Sequence, residues 1–585
     1  MATFRLLRPL AASLLLVAAA CSKDKSNPVE PTPNPPIGLQ VTATSSAAIK
    51  VTFQSAAGDN SYTIERAEGA AGTFAQVTSL PAPATAQLVT FDDTNLKVAT
   101  AYRYRVAAVQ GSKTSAFTSE QTTTTVAFGA FSKDVSTDIT TSTTWNPETT
   151  YVLKGFIHVG NGATLTIRAG TTIKGDFNTL GASLFILRGA KINAVGTADA
   201  PIVFTSAQPV GQRKPGDWGG LIIVGNATTA RTGVEIEIEG TNTVGGTTPG
   251  TNYKVTYDGG TVDTDNSGEL RYVRVEFAGF APSLNNELNS FTFATVGSGT
   301  KMSFLQAMAG LDDSYEWFGG TVDGDHLVSY ESGDDHFDMS EGYRGRLQYL
   351  IAFQSTQLTP RTGAGGLAAD PQGIENDGCP ANSAGCTQGH NTTPFTTPIV
   401  ANYTLIGTGN VASAGSAGGI GMMIRRGSGG WYVNGVVARW PRAAISLRDA
   451  ETYLRAGSAA TPDLATSDLA VRNNYFTDVA TMFQATAGTN LQNSFDLAGN
   501  SLTQATTATA GLFAAFPATV TGTTNAASFD WTPAAGSPIA TGGMATFTGK
   551  LATRAGTVAA GTAFVGAANP AGPKWWQGWT VYFTN

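Results

Sequence analysis

Short runs of alternating apolar and polar residues follow one another along most of the chain, separated by glycine, asparagine and aspartate. Runs such as TLTIR, SLFIL, IVFTS and LIIV have the length, composition and two-residue period of β-strands. No run between them has the spacing of an amphipathic helix. The pattern therefore predicts an all-β protein.

The strand runs after residue 127 recur about every 20 positions, as in GATLTIRAGTTIKG and SLFILRGAKINAVG. A repeat of this length without intervening helices is typical of a solenoid whose coils stack in parallel. Residues 127–585 therefore resemble a right-handed parallel β-helix. A β-propeller would repeat at about 40 to 50 residues, a longer repeat than the one observed. A string of sandwiches is the other alternative.

Residues 36–126 contain a different set of strands, including LQVTATS, SYTIER and AYRYRVAAV. They resemble a fibronectin type III domain, a β-sandwich of similar length. The resemblance implies a tyrosine corner at Tyr102, with its hydroxyl bonded to the preceding loop, and Phe53 in the place of the usual core tryptophan. Domains of this kind mostly act as spacers.

The N-terminus carries export signals. Residues 1–20 have two arginines followed by an apolar stretch too short to span a bilayer, which is typical of a signal peptide. Cys21 follows three alanines and resembles the lipidated cysteine of bacterial lipoproteins; the alternative is an ordinary signal peptide with a stray thiol. Residues 21–35 then form a Pro-rich tether. We expect a lipid-anchored protein of the bacterial outer membrane or cell surface.

Net charge limits the classes of binding partner, and the number of cysteines predicts a disulfide. The 585-residue chain has a formal net charge of -7, which excludes a nucleic-acid partner that needs a basic face, and leaves the lipid anchor as the only expected membrane contact. Beyond Cys21, Cys379 and Cys386 remain, and two exported thiols at this spacing predict a disulfide across a small loop.

Acidic residues concentrate between positions 312 and 338, although only 14% of the chain is charged. DDSYEWF begins at Asp312 and DDHFDMS at Asp334, so these segments are predicted to be neighbouring coils. Strand alternation then points one set of side chains outward, namely Asp312, Ser314 and Glu316 beneath Asp334, His336 and Asp338. An inward aromatic stack is predicted from Phe293, Tyr315 and Phe337.

Like charges on adjacent coils, about 4.8 Å apart, repel by roughly 3 to 4 kcal/mol per pair at an effective dielectric near 20. Solvation, protonation or a bound cation can relieve this repulsion. Oxygen ligands favour Ca²⁺, so Asp312, Glu316, Asp334 and Asp338 are candidate ligands. Asp263 and Asp265 resemble the start of a DxDxxG calcium loop, but Arg274 replaces the closing glutamate of an EF-hand.

Enzymatic activity is the alternative use of this cluster. Parallel β-helices host polysaccharide lyases and hydrolases, and the resemblance here is to their fold and paired aspartates. Hydrolysis would use two of the carboxylates Asp312, Glu316, Asp334 and Asp338, and elimination would add Arg344 as a base. Trp431, Tyr432 and Trp440 are candidate sugar-stacking platforms. Trp575, Trp576 and Trp579 are predicted to cap the open end of the solenoid.

The segments DDSYEWFGGTVD, GDWGGLIIVG, LRYVRVEF and WWQGWTVY together resemble a largely uncharacterised family of large exported bacterial lipoproteins. That resemblance implies a surface β-solenoid and transfers no catalytic residue. The sequence thus favours a non-catalytic adhesin or glycan-binding display protein, stabilised by calcium, whose partner is a polysaccharide or another surface polymer. The alternative is a lyase or hydrolase acting on acidic polysaccharide.

Overall fold

The structure is a computed structural model of the chain. It describes residues 32–241, 254–283, 286–365, 371–414, 418–484, 495–517 and 519–582. The predicted signal peptide, Cys21 and most of the tether lie outside these ranges. The chain divides into two compact units, residues 1–126 and 127–585.

The first unit is a β-sandwich of two antiparallel sheets. One sheet has the order β1-β2-β5, and the other has the order β4-β3-β6-β7 with β8 also on β6. Phe53, Tyr62 and Tyr104 are fully buried between them. The Tyr102 hydroxyl accepts a hydrogen bond from the backbone N–H of Lys97 at 3.0 Å, as a tyrosine corner requires. The strands are β1 (Ile37–Ser45), β2 (Ala48–Gln54), β3 (Ser61–Glu68), β4 (Ala75–Pro81), β5 (Leu88–Thr94), β6 (Ala101–Gln110), β7 (Lys113–Thr114) and β8 (Gln121–Thr124).

The second unit is a parallel β-helix with a C-terminal segment packed along it. Its strands are β9 (Phe131–Val135), β10 (Thr143–Trp145), β11 (Thr149–Leu153), β12 (Phe156–Val159), β13 (Thr164–Arg168), β14 (Thr172–Gly175), β15 (Ser183–Ile186), β16 (Lys191–Val195), β17 (Ile202–Ser206), β18 (Leu221–Val224), β19 (Ile236–Glu237), β20 (Thr256–Tyr257), β21 (Gly268–Glu276), β22 (Phe280–Ser283), β23 (Asn286–Leu288), β24 (Phe291–Ala294), β25 (Lys301–Met308), β26 (Tyr315–Phe318), β27 (Gly324–Tyr330), β28 (Asp338–Ser340), β29 (Arg346–Phe353), β30 (Ile374–Asp377), β31 (Ile399–Ile406), β32 (Ile420–Arg425), β33 (Gly430–Val433), β34 (Val436–Ala438), β35 (Ala443–Leu447), β36 (Leu469–Arg472), β37 (Tyr475–Thr477), β38 (Thr503–Ala505), β39 (Phe513–Ala515) and β40 (Asp530–Pro533). The helices are α1 (Ala450–Arg455) and α2 (Gly549–Ala555). Among the described residues, no helix is long and apolar enough to cross a membrane.

Each coil adds a strand to both of two large parallel sheets. The short sheet has the order β12-β15-β18-β24-β26-β28-β30-β32-β35, and the long sheet runs through β21-β25-β27-β29-β31. Apolar side chains from both sheets fill the interior between them. The predicted all-β fold class, a sandwich followed by a parallel β-helix, is confirmed.

The interior aromatic stack differs in register from the prediction. Phe291 pairs with Tyr315, and their rings lie 5.0 Å apart, while Phe293 pairs with Trp317. Tyr315 then stacks on Phe337 at 5.4 Å. The prediction of Phe293 in this stack is wrong because the coil before Asp312 is longer than the one after it.

The long sheet bends where a residue of each coil adopts left-handed backbone geometry. Tyr272, Phe304, His326 and Tyr349 occupy this position, with φ of 49°, 54°, 57° and 63°. Their rings stack at centroid distances of 4.5, 4.4 and 4.9 Å on the outside of the coil. Positive φ costs non-glycine residues energy, and the packing of this outer aromatic ladder offsets that cost.

The C-terminal tryptophans cover this ladder. The ring of Trp575 lies 4.8 Å from that of His326, and the ring of Trp579 lies 5.6 Å from that of Tyr272. Residue Trp576 is buried in the same cluster. These residues therefore pack on the side of the coil stack, and the prediction that they cap its open end is wrong.

Trp579→Ala should destabilise the β-helix strongly. The side chain is fully buried, its indole N–H donates to the Trp575 carbonyl at 2.7 Å, and its own carbonyl accepts from Arg274 at 2.8 Å. Truncation of a buried tryptophan costs about 3 to 5 kcal/mol. Thermal melting should show a clear drop in the transition temperature. Gln577→Ala, at an exposed neighbour, is the control; equal melting of the two variants would contradict this packing.

Candidate functional site

A row of carboxylates crosses the outer surface of the short sheet. Glu316 on β26 pairs with Asp338 on β28, which pairs with Glu375 on β30. The next residues, Trp317 and Met339, point into the core, as strand alternation requires. The predicted register of Glu316 and Asp338 is confirmed, and Glu375 extends the row by one coil.

Two aspartate pairs precede these strands. The backbone N–H of Asp335 donates to Asp313 Oδ1 at 2.8 Å, and the N–H of Gln372 donates to Asp335 Oδ1 at 2.8 Å. Asp312, Asp313 and Asp334 all face one cavity together with Glu316 and Asp338. The turn thus brings Asp313 to the outer surface, although strand alternation alone would give it the inward parity.

The cavity has a volume of about 500 Å³ and is strongly acidic. Part of its wall is the loop closed by the disulfide between Cys379 and Cys386, which contributes Pro380 and Ser383. The carboxylates that line it are Glu239, Glu287, Asp312, Asp313, Glu316, Asp334, Asp338, Glu341, Glu375 and Asp377. Its cations are Arg231, Arg425 and Arg426.

The three arginines of the cavity form ion pairs with three of its carboxylates. Arg425 Nε lies 2.7 Å from Asp377 Oδ1, and the same guanidinium also pairs with Glu375. Arg426 pairs with Asp377 as well. Arg231 Nη1 lies 2.7 Å from Glu341 Oε1.

Four further carboxylates of the cavity stand apart from these ion pairs. Within the described ranges, Asp312, Asp313, Glu316 and Asp338 have no lysine, arginine or histidine nitrogen within 4.0 Å. Asp312 is only 7% exposed, and no donor in the described part of the chain hydrogen-bonds to its side chain. A buried carboxylate without a donor is costly and requires a proton or a cation.

Burial and mutual repulsion raise the pKa values of these groups. For Asp312, burial raises the pKa well above its usual range, and the charge of Asp334 adds to it. Burial likewise raises the pKa of Glu316 and of Asp338, assisted by Glu239 and Glu375 respectively. The pKa values of Glu239 and Glu375 rise to about 8, first because of burial and then because of neighbouring carboxylates.

The carboxylate oxygens lie close enough together to hold metal ions. Three overlapping groups each offer ligand atoms within 4.8 Å of one another: Asp312 with Asp313 and Asp334, Asp313 with Glu316 and Asp338, and Asp335 with Asp338 and Glu375. All of these ligands are oxygens, which suits Ca²⁺, an ion that takes six to eight oxygen ligands in flexible geometry. The uncompensated, buried Asp312 fits the same ion.

His336 does not belong to this set. It is fully buried, its Nδ1 lies 2.5 Å from Ser329 Oγ, and burial lowers its pKa to about 3. Its ring lies 6.3 Å from that of Trp440 in the core. The prediction that His336 points outward is wrong, because the chain turns inward between Asp335 and Phe337.

In the second predicted calcium loop, both aspartate side chains already accept hydrogen bonds from other groups of the protein. Asp263 accepts a hydrogen bond from the Thr228 N–H at 3.1 Å and pairs with Arg344 at 3.0 Å. Asp265 accepts from the Asn226 N–H at 3.1 Å. Arg344 thus lies beside Asp263 and does not line the acidic cavity. The prediction that Arg344 could act as a base in the acidic cluster is therefore wrong.

The predicted sugar-stacking platforms are inside the protein. Trp431 and Tyr432 are fully buried and Trp440 is 1% exposed. Trp431 packs against Leu551 and Ala555 of α2, so the strand that carries it is covered on both faces. The interpretation of these three residues as exposed platforms is wrong.

The fold and this cavity define a class: a parallel β-helix whose short sheet carries a buried acidic site. A family model described as a pectate-lyase like beta helix domain matches residues 137–525. The chain therefore belongs to this family. A comparison with curated proteins finds no match.

The solved structures that match this chain have very low sequence identity to it. Pectate lyase Pel3 from Pectobacterium carotovorum is 9% identical, with 64% of this chain and 86% of that chain covered and a TM-score of 0.12. Pectate lyase PelI from Erwinia chrysanthemi, in complex with tetragalacturonic acid, is 8% identical, with coverages of 80% and 99% and a TM-score of 0.13. The catalytic unit of a GH87 alpha-1,3-glucanase from Streptomyces thermodiastaticus strain HF3-3 is 9% identical, with coverages of 79% and 95% and a TM-score of 0.22. These values are too low to transfer a substrate or a residue role.

Proposed function

We propose that this protein is an exported binding protein for acidic polysaccharide that holds the polymer through Ca²⁺ in the acidic cavity. The observation that carries the proposal is a set of carboxylates without an ion-pair partner within 4.0 Å among the described residues: the buried Asp312, Asp313 and Glu316 and the half-buried Asp338. Such a set favours cations, and a calcium ion held by three protein carboxylates has ligand positions left for the carboxylates of a uronate polymer.

Binding without turnover is the favoured form of this function. An enzyme that works by elimination needs a base that is unprotonated near neutral pH, so that it can accept a proton from the sugar. Burial alone would lower the pKa of Arg425, but the carboxylates of Asp377 and Glu375 outweigh burial and raise it. Glu341 raises the pKa of Arg231 in the same way. Both arginines therefore remain charged and serve as counter-ions.

One observation favours hydrolysis as a second candidate. Glu316 and Asp338 are paired across neighbouring strands, and burial raises the pKa of both. A protonated carboxyl next to a carboxylate is the arrangement that glycoside hydrolases use, with separations of about 5 to 9.5 Å. In this alternative one of the two residues donates a proton to the leaving sugar.

Export and anchoring complete the proposal. The signal peptide, Cys21 and the tether of residues 21–35 support a lipid anchor at the outer membrane or cell surface. The fibronectin-like sandwich would act as a spacer between this anchor and the β-helix. Cys21→Ser should release the protein from the membrane fraction; retention of this variant would contradict a lipid anchor.

The test compares binding and turnover in the mature chain carrying Cys21→Ser. Ca²⁺ binding is measured by calorimetry after removal of divalent ions on a chelating resin. Oligogalacturonate binding is then measured with and without Ca²⁺. We expect Ca²⁺ to strengthen oligogalacturonate binding at least tenfold, and we expect Asp312→Asn to abolish this gain.

Turnover is followed as the appearance of unsaturated ends and of reducing sugar. Asp263→Asn, outside the cavity, is the matched control for the loss of one carboxylate. Reducing ends that the parent protein releases without unsaturated ends, and that Glu316→Gln does not release, would replace the binding proposal with hydrolysis. Unsaturated ends would replace it with elimination. Oligogalacturonate binding that ignores Ca²⁺ would reject the cation bridge.

A further inference from the structure

A second cleft opens where β34 ends, away from the residues that line the acidic cavity. Arg439 follows β34 with a φ of 61°, and its backbone N–H donates to the Thr477 carbonyl of the next coil at 3.3 Å. The cleft has a volume of about 430 Å³, within the range of ordinary ligand sites. Residues 519–522 of the C-terminal segment form its far wall.

The guanidinium of Arg439 has unused donors. Within the described ranges it makes one hydrogen bond, from Nη2 to the Thr408 carbonyl at 3.0 Å, although an arginine side chain carries five N–H donors. Its Cζ lies 5.6 Å from the ring centroid of Phe516. No carboxylate oxygen of a described residue lies within 4.0 Å of it.

Asp478, which lines a neighbouring cavity together with Arg439, is already bonded elsewhere. Asp478 Oδ2 accepts hydrogen bonds from both the backbone N–H and the hydroxyl of Thr509, at 2.7 and 2.5 Å. Arg472 provides a contrast, because it donates to the carbonyls of both Gly499 and Pro462. Arg439 is a half-buried cation that lines both this cleft and a neighbouring cavity of about 280 Å³.

The rest of the cleft suits a sugar. Its polar lining consists largely of hydroxyl and amide groups, which pair with sugar hydroxyls, and Phe353 contributes an apolar surface. The polar residues are Ser355, Thr356, Thr408, Asn410, Ser413 and Thr521. In this lining Arg439 is the charged side chain, so the ligand that it selects carries negative charge.

We propose that the Arg439 cleft is a second carbohydrate-binding site, which takes one anionic sugar residue of a polysaccharide without a divalent cation. The guanidinium would bind the carboxylate of a uronate or the sulfate of a sulfated sugar through two parallel hydrogen bonds. This inference is independent of the proposed calcium site, whose residues belong to a different cavity.

The experiment uses the mature chain after removal of divalent ions on a chelating resin. Trigalacturonate, its methyl ester and a sulfated trisaccharide are titrated by calorimetry. We expect a charged trisaccharide to bind, the neutral ester to bind at least tenfold more weakly, and Arg439→Gln to reduce binding of the charged one at least tenfold. The uronate and sulfate arms identify which anion the cleft prefers.

Two further variants separate the site from general effects. Ser413→Phe leaves Arg439 intact but fills the cleft, so it should also abolish binding. Arg168→Gln removes one positive charge from an exposed strand position and should leave binding unchanged. Asp312→Asn should likewise leave this metal-free binding unchanged.

Three outcomes would overturn the proposal: unchanged binding in Arg439→Gln, equal binding of the ester, or no binding of any charged trisaccharide. These outcomes differ from a failure of the proposed function, which is measured as the additional binding that Ca²⁺ produces. Calcium-dependent binding that persists in Arg439→Gln would support the acidic cavity while rejecting this cleft.

Discussion

Asp312→Asn should change the stability of this protein in opposite directions with and without calcium. In the metal-free protein the variant should melt at a higher temperature, because burial and the neighbouring Asp334 disfavour the charged form of Asp312. Removal of one such repulsion is worth at most about 3 to 4 kcal/mol at an effective dielectric near 20. With saturating Ca²⁺ the order should reverse, since the variant lacks a ligand and an ion at a hundred times its Kd stabilises by about 2.7 kcal/mol.

Asp263→Asn is the matched control for this experiment. Burial alone would raise the pKa of Asp263, but the hydrogen bonds from Thr228 and the charge of Arg344 outweigh it and lower the pKa. Its charged form is therefore stabilised by the fold, and its loss should lower the melting temperature in both conditions. If Asp312→Asn shifted melting in the same direction in both conditions, Asp312 would have no part in binding the ion.

The repeated DD segments made the centre of the cavity predictable. Asp312 and Asp334 lie 22 positions apart, and a coil of that length brings Glu316 opposite Asp338 once strands are parallel and side chains alternate. The same reasoning gives the inward direction of Trp317 and Met339. Where two successive turns have equal length, the sequence alone is sufficient to fix the register of a β-helix.

The rest of the cavity depends on turns of unequal length. Glu375 and Asp377 lie in IEND after a long insertion, so no fixed period leads to them from Asp338. The spacing of two acids two positions apart, in a short run that opens with isoleucine, was the available signal. Glu239 and Glu341 come from a side loop and a turn, whose position only tertiary packing determines.

The positions of the aromatic residues were the main part of the structure that the sequence predicted wrongly. A tryptophan in a strand can face solvent, the core or a later segment of chain, and the local pattern does not distinguish the last case. Trp431 is covered by α2, which lies more than a hundred residues further along the chain. Similarly, Trp575 and Trp579 cover the outer aromatic ladder of the long sheet, although they lie more than two hundred residues after its last ring, Tyr349.

The melting temperature of the metal-free protein should fall between pH 6 and pH 8, and Ca²⁺ should remove most of that fall. The pKa values of Glu239 and Glu375 are about 8 in the folded protein, well above the ordinary value of 4.5. Over this range the unfolded chain has lost these protons while the folded protein still retains them. Stability therefore decreases as pH rises, by about 1.4 kcal/mol per pH unit for each retained proton.

The buried His336 acts in the other direction, but only under more acidic conditions. Burial lowers its pKa to about 3, so the unfolded chain gains a proton below about pH 6.5 that the folded protein does not. Melting should therefore be compared at pH 6 and above, where the opposing effect of this single group is smaller than the combined effect of the two glutamates. Glu239→Gln is the test variant, because Glu239 has no ion-pair partner within 4.0 Å among the described residues.

That variant should reduce the fall in melting temperature between pH 6 and pH 8. Ca²⁺ competes with protons for the same carboxylates, so it should stabilise the parent protein strongly at pH 8 and only weakly at pH 6. A metal-free protein whose melting temperature rises from pH 6 to pH 8 would mean that these carboxylates are already ionised and compensated in the fold. The acidic cavity would then have no demand for a cation.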